Sequence, residues 1–154
     1  MRNIWCLFLF IFLVTVPSLS FAAKGNREAK EGNQLYKEEK FQEALEKYDQ
    51  AYSLAPNSDI INFNRAAALY KTSQFQEAVE SFTNVLVTDD PKLEAKANYN
   101  IGNSRYKEGE LKEKVDLNEA VNLYTEALNY YKRAIELSEK DVDAKYCRFY
   151  SKYL

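Results

Sequence analysis

Apolar and polar positions follow a helical period from about residue 25 onward, and the pattern itself recurs. Leu35 to Ala44 reads Leu-Tyr-Lys-Glu-Glu-Lys-Phe-Gln-Glu-Ala, and Leu69 to Ala78 reads Leu-Tyr-Lys-Thr-Ser-Gln-Phe-Gln-Glu-Ala, 34 residues later with seven of ten identities. A period of that length marks stacked helix–turn–helix units, none of which can bury its apolar face alone.

The spacing predicts a first helix from about Gly25 to Glu39, with Gly32 as its small residue, and a second from Phe41 to Leu54. Ala44, Tyr48 and Ala51 share one face of the second helix. Gly32 weakens its own helix by about 1 kcal/mol, so it should allow close approach of the second. Pro56 ends the unit. Asn57-Ser58-Asp59 offers caps for repeat two, where Ala66 replaces Gly32 and Ala78, Phe82 and Val85 repeat the buried face. Ser73 and Gln76 fit a capping box. Asp90 as N-cap and Pro91 at the first helical position start the third unit, a helix to Glu108 that Gly109 closes as C-cap.

Then the period fails. Lys114 stands where a small residue is due, and Asp116 with Glu119 makes a fresh capping box before Ala120, Tyr124 and Ala127 restore the spacing. This reads as a six-residue loop insertion. The helix after it is long: Leu117, Val121, Tyr124, Leu128, Tyr131 and Ile135 step by 4, 3, 4, 3 and 4, and Ala127, Tyr131 and Ala134 satisfy the pattern again one heptad later. A helix from Leu117 to Glu139 measures roughly 35 Å, against about 20 Å for an ordinary repeat helix. It either covers its neighbour and the chain end or overhangs as an apolar surface for a partner helix, with Leu128, Tyr131 and Ile135 as the candidate second surface. Asp141 to Leu154 is expected as a last, capping helix using Ala144, Phe149 and Tyr150. The expected organisation is therefore all-α, with repeats at about 25–58, 59–92 and 95–140 and a cap at 141–154.

Composition adds constraints. Histidine is absent from the 154 residues, which removes the commonest general base and zinc ligand, and a net charge of −2 gives no basic field for nucleic acid. Residues 1–22 have the form of a signal peptide: Arg2, an apolar run from Ile4 to Val16, Pro17, and small residues at Ser20 and Ala22. The run is shorter than the roughly 20 residues a membrane-spanning helix needs. An exported, periplasmic protein is expected, with an uncleaved membrane tether as the alternative. Cleavage would leave Cys147 as the sole thiol and so no intramolecular disulfide; a small buried hydrophobe is its expected role.

The offsets resemble the tetratricopeptide repeat: a small residue, Ala twelve on, an aromatic four further, then Pro. Gly32, Ala44, Tyr48 and Pro56 fit, as do Ala66, Ala78 and Phe82, with Pro91 one place late. Glu28, Asn62 and Asn98 occupy the place of the usual early Trp. The resemblance implies a TPR-type α-solenoid of about three antiparallel helix pairs plus the cap. The order of parts also resembles BatC-type members of the Bat aerotolerance operon: the targeting segment, Gly-Asn-x-Leu-Tyr-Lys from Gly32, Asp-Asp-Pro from Asp89, Ala-x-Tyr-Asn-x-Gly-Asn from Ala97, the stretched helix, and Asp-Ala-Lys-Tyr from Asp143, with Cys147 where that group has Asn. That implies a scaffold working with membrane-bound von Willebrand A-domain proteins in stress tolerance.

Carried over from the family, the first helices would line a concave partner-binding groove with Asn33, Tyr36 and Lys37, then Phe63, Tyr70 and Lys71, then Tyr99, Asn103, Tyr106 and Lys107. An extended or helical segment would lie there, rings supplying area and lysines meeting carboxylates; alternatively the tyrosines pack between repeats and the lysines are solvated. Some family members grip a terminal carboxylate with two Asn and three basic groups. Asn33, Asn64 and Lys96 match that set, but Ala29 and Asn100 stand where basic groups are needed. No catalytic residue, metal site or cofactor is expected. Pairs such as Glu38-Glu39 and Asp89-Asp90 are sequence neighbours that point apart on a helix. The expected role is a non-catalytic adaptor with protein partners; an accessory subunit of an envelope-polymer enzyme or of a secretion or assembly machine is the alternative. Homo-oligomerisation through the long helix is left open.

Overall fold

The computed structural model describes residues 16–139, with side chains from Lys24 to Ser138. Six helices follow one another: α1 (Val16–Lys37), α2 (Phe41–Leu54), α3 (Asp59–Lys71), α4 (Phe75–Thr83), α5 (Pro91–Lys112) and α6 (Leu117–Glu139). Each packs against its successor, and α1, α3 and α5 also touch in turn, so three antiparallel hairpins stack side by side. Most of the expected targeting segment and the expected capping helix lie outside the described residues, so only residues 16–22 of the former are seen, as the start of α1. No helix among the described residues is long and apolar enough to cross a membrane.

The core follows the sequence spacing. Ala44, Tyr48 and Ala51 of α2 are buried, as are Ala66 of α3 and Ala78, Phe82 and Val85. α4 is only nine residues long, and Val85 is held beyond its end by backbone bonds from Val85 N–H to Phe82 O and from Leu86 N–H to Thr83 O. The sequence Thr83-Asn84 is weakly helical, so the chain tightens there while keeping Val85 inside. Glu39 and Ser73, 34 residues apart, both take left-handed backbone conformations, with φ of 61° and 63°. The repeat is thus visible in the torsions of its turns.

The small residues are notches. A Cβ on Gly32 would meet Tyr48 Cε1 at 2.7 Å. This close approach is what the sequence implied for Gly32, and the third hairpin has it twice. A Cβ on Gly102 would meet Tyr131 Cε1 at 2.6 Å, and one on Gly109 would meet Tyr124 Cε1 at 2.6 Å. Gly102 and Gly109 are one heptad apart, as are Tyr124 and Tyr131.

That duplication corrects two expectations. Gly109 does not cap a helix: it is buried inside α5, and no described glycine has positive φ. Nor is the inserted sequence a loop. α5 runs on to Lys112, and two extra turns of α5 pack against two extra turns of α6 through the second Gly–Tyr notch. The connection is only Glu113 to Asp116, where Asp116 Oδ1 accepts from Glu119 N–H at 3.0 Å; this is one half of the expected capping box, the Asp116 N–H going instead to Lys112 O at 2.8 Å. Asp90 caps α5 as read, accepting from Lys92 N–H at 2.9 Å with Pro91 next in line. The box expected at Ser73 does not form; α4 starts after Gln74 with no side-chain cap, because Ser73 is occupied with the left-handed turn. α1 extends upstream of Gly25, with its described part beginning at Val16.

Candidate functional site

The first helices of the three hairpins, α1, α3 and α5, lie side by side and carry the residues expected to line the groove. Tyr36 meets Phe41 edge-on at 5.0 Å between ring centroids, and Tyr70 meets Phe75 in the same way at 5.5 Å. These equivalent pairs brace the turn of each of the first two hairpins. In the third, Tyr106 packs on Tyr124 at 5.1 Å, tilted 42°. Further down the wall Phe63 lies edge-on to Phe82 at 5.3 Å and Tyr99 lies by Tyr131 at 5.9 Å. Ala29 holds the matching place in the first repeat, so that wall has no ring there.

The rings are therefore shared between packing and surface. Tyr36, Phe63, Tyr70 and Tyr99 are half-buried, and Tyr106 is exposed. Burial raises the phenol pKa of Tyr36 and of Tyr70, and Tyr131 is pushed far above the usual range by burial and by the adjacent Tyr99, Tyr70 and Tyr106.

The lysines differ. Lys37 and Lys71 are exposed, with Lys71 Nζ 5.5 Å from the centroid of the Phe41 ring in the preceding repeat. Lys107 pairs with Glu110 at 2.5 Å, which raises its pKa. The positive wall is thus strongest at its N-terminal end.

The asparagines have structural tasks. Asn33 Oδ1 accepts from the Tyr48 hydroxyl at 2.8 Å and from Asn64 Nδ2 at 3.0 Å. Asn103 Oδ1 accepts from the Tyr131 hydroxyl at 2.9 Å. In repeat two the same places hold Ala67 and Phe82, so donor and acceptor are absent together. Hence Asn33 and Asn103 satisfy the hydroxyls of buried tyrosines.

The candidate second surface on α6 does not stay together. Tyr131 lies inside the hairpin, seated on Gly102, because it is the repeat's aromatic one heptad on. Leu128 is 38 % exposed and Ile135 is half-buried, on a separate flank.

Two features escaped the sequence reading. The positions of the missing Trp are buried and polar. Asn62 Nδ2 donates to Pro56 O and Ser58 O, Asn98 Nδ2 donates to Glu94 O, and Glu28 pairs with Arg27 and Lys47. Arg105 takes the register of Leu35 and Leu69. It reaches Gln76 at 3.1 Å, Glu108 at 2.8 Å and Glu126 at 3.0 Å, tying α4, α5 and α6. The signal was a charge at an apolar repeat position. Arg105 borders an open cleft of about 580 Å³, at the step where the long hairpin overshoots α4, with Phe75, Leu111 and Leu123 in its lining. Among the described residues no group of His, Cys, Asp and Glu could hold a metal ion.

Residues 32–73 match a family model described as TPR repeat. The fold is similar to the Arabidopsis OM64 TPR domain, with a TM-score of 0.65 at 23% identity, covering 87% of this chain and 99% of that one. It is similar to the N-terminal domain of stress-induced protein-1 (STI-1) from C. elegans, with a TM-score of 0.57 at 29% identity over 78% of this chain and 93% of that one. It is also similar to the second TPR of Spaghetti (RPAP3), solved bound to the HSP90 peptide SRMEEVD, with a TM-score of 0.53 at 26% identity over 71% and 94%. No curated protein matches the chain. The described chain thus has the fold of a TPR-type α-solenoid, with the TPR repeat model matching residues 32–73.

Proposed function

We propose that this chain is an exported, periplasmic scaffold whose concave wall grips an acidic segment of a membrane-bound von Willebrand A-domain partner, in a Bat-type envelope complex linked to stress tolerance. The observation that carries the groove reading is the Tyr–Lys pair recurring at Tyr36-Lys37, Tyr70-Lys71 and Tyr106-Lys107 on three neighbouring helices. Half-buried rings braced at the first two hairpins offer rigid apolar area, and the exposed Lys37 and Lys71 beside them favour carboxylates. The export and Bat parts rest on the form of residues 1–22 and on the order of motifs along the chain.

One of the similar domains holds an acidic peptide, SRMEEVD. Recognition of a free terminal carboxylate is a poorer fit here. Ala29 is buried and uncharged, and Asn100 donates to Lys96 O of its own helix at 2.9 Å. An internal acidic stretch suits the wall better.

The test is co-purification of the full chain with a von Willebrand A-domain protein encoded beside it, compared with Lys37→Glu/Lys71→Glu/Lys107→Glu. These are wall lysines, so helicity should survive while the complex is lost. Full retention by the triple variant would reject the groove. Neighbouring genes without von Willebrand A domains would reject the Bat assignment.

A further inference from the structure

The third hairpin overshoots the second. α3 ends at Lys71, whose counterpart in α5 is Lys107, yet α5 continues to Lys112. α4 starts at Phe75, whose counterpart in α6 is Tyr124, yet α6 starts at Leu117. At 1.5 Å per residue the overhang is roughly 8–10 Å long. Beneath it lies the cleft of about 580 Å³, with Ser73 to Glu77 of the second hairpin as its floor and Leu111, Lys112 and Glu119 above. Every residue from 111 to 119 is exposed, Leu111 at 67% and Val115 at 81%.

The same extra turns make the step and the overhang, so the step is as deep as the overhang is long. Such a surface is complementary to itself. When two copies meet about a two-fold axis, each overhang can enter the other's step, and both steps are filled at once. The charges sort in the same way. Arg105 already pairs with Glu108 and Glu126. Glu77 on the floor and Lys112 on the overhang are exposed, line one cleft, and make no ion pair among the described residues. The gap between them has room for a second pair of the same kind, Lys112 of one copy against Glu77 of the other. The apolar flank with Val121 lies elsewhere. Val121 is two residues from both Glu119 and Leu123, which line the cleft, and so stands about half a turn around α6.

We infer that a second copy of this chain docks in the step. The pair is isologous: Leu111 of each overhang lies on the half-buried Phe75 of the other copy, and Lys112 meets Glu77. No residue of the Tyr–Lys wall lines the cleft, so the inference does not rest on the groove. Eleven residues line the cleft, against roughly 20–30 a side in a standard interface, so the pair should be weak, with a Kd of about micromolar order.

The test is sedimentation equilibrium of the full chain from about 5 to 500 μM, under reductant so that Cys6 and Cys147 cannot link copies. The chain should pass from monomer to dimer and go no further, because an isologous contact closes. Glu77→Lys alone and Lys112→Glu alone should each raise Kd more than about ten-fold, since each sets like charges opposite one another at both contacts. Mixed in equal amounts, the two variants should form a heterodimer within about three-fold of the native Kd, because both contacts regain opposite charges. Both positions are exposed, so helicity by circular dichroism should be unchanged. A monomer throughout the range would overturn the inference and leave the step to a different occupant. A dimer insensitive to both reversals, one that the mixture fails to restore, or one abolished by Val121→Glu on the other flank would overturn it too.

Discussion

If Gly109 is a notch within α5 and not the end of a helix, the effect of adding a methyl group there must depend on Tyr124. A Cβ on Gly109 would lie 2.6, 2.8 and 3.1 Å from three atoms of the Tyr124 ring. The ring is held on its other sides by Tyr106 and by the bond from its hydroxyl to Glu113 at 2.6 Å. Overpacking of this kind costs about 1–3 kcal/mol. Against it, alanine is favoured over glycine within a helix by about 1 kcal/mol. Gly109→Ala should therefore destabilise the native chain by up to about 2 kcal/mol. In a Tyr124→Ala background the obstruction is gone, and the same substitution should stabilise by up to about 1 kcal/mol. The coupling then equals the overpacking cost, about 1–3 kcal/mol, measurable by urea unfolding followed at 222 nm in the four proteins of the cycle. A helix-terminating glycine in a left-handed conformation would lose about the same stability in both backgrounds, and a coupling near zero would refute the notch.

Other outcomes follow from the same geometry. Asn33→Ala should cost about 1–2 kcal/mol by orphaning the Tyr48 hydroxyl, and clearly less in a Tyr48→Phe background, as the Ala67–Phe82 pair of repeat two implies; equal losses in denaturant titrations would refute the pairing. Glu39→Gly and Ser73→Gly should each raise stability by about 0.5–1 kcal/mol, because relief of a left-handed backbone outweighs the entropy of glycine; a lower melting temperature for both would contradict this. The Tyr48 phenol is pushed up to about 12, first by burial and then by Tyr36, so the folded chain holds a proton that the unfolded chain releases near pH 10. Its contribution is present below pH 10 and is lost as pH rises from 10 through 12; Tyr48→Phe should flatten that decline in stability, and an unchanged slope would refute the assignment.

How much of this was legible in the sequence varied by feature. The repeat, α2 and α6, the Asp90–Pro91 start of α5 and the small-residue faces were all readable, because each is written in local spacing and capping chemistry. The long hairpin was only half readable. Both heptads of α6 were visible as Ala120–Tyr124–Ala127 and Ala127–Tyr131–Ala134, but Gly109 looked like a stop signal. Glycine ends helices when the chain turns and sits inside them when a ring needs room. Only the partner helix distinguishes the two, and here Tyr124 is the partner. The same ambiguity applies to the groove. Asn33 and Asn103 were readable as wall residues, but their bonds to Tyr48 and Tyr131 join residues 15 and 28 apart in sequence.

The extra turns also explain why the molecule has two kinds of surface. Lengthening only the third leaves Leu111 of α5 and Leu117 and Val121 of α6 beyond the reach of α4, at 67%, 66% and 53% exposure. The step beneath them is closed by a charged tie, Arg105 with Gln76, Glu108 and Glu126, where the earlier repeats use leucine. Phe75 of α4 lines the same cleft as Arg105, together with Leu111 and Leu123. The arginine spans the step with its long stem, pairing its charge with Glu108 of its own helix and Glu126 of α6 and donating a hydrogen bond to Gln76 of α4. The overhang and the polar tie are thus two consequences of one lengthening, separate from the Tyr–Lys wall that runs through all three repeats.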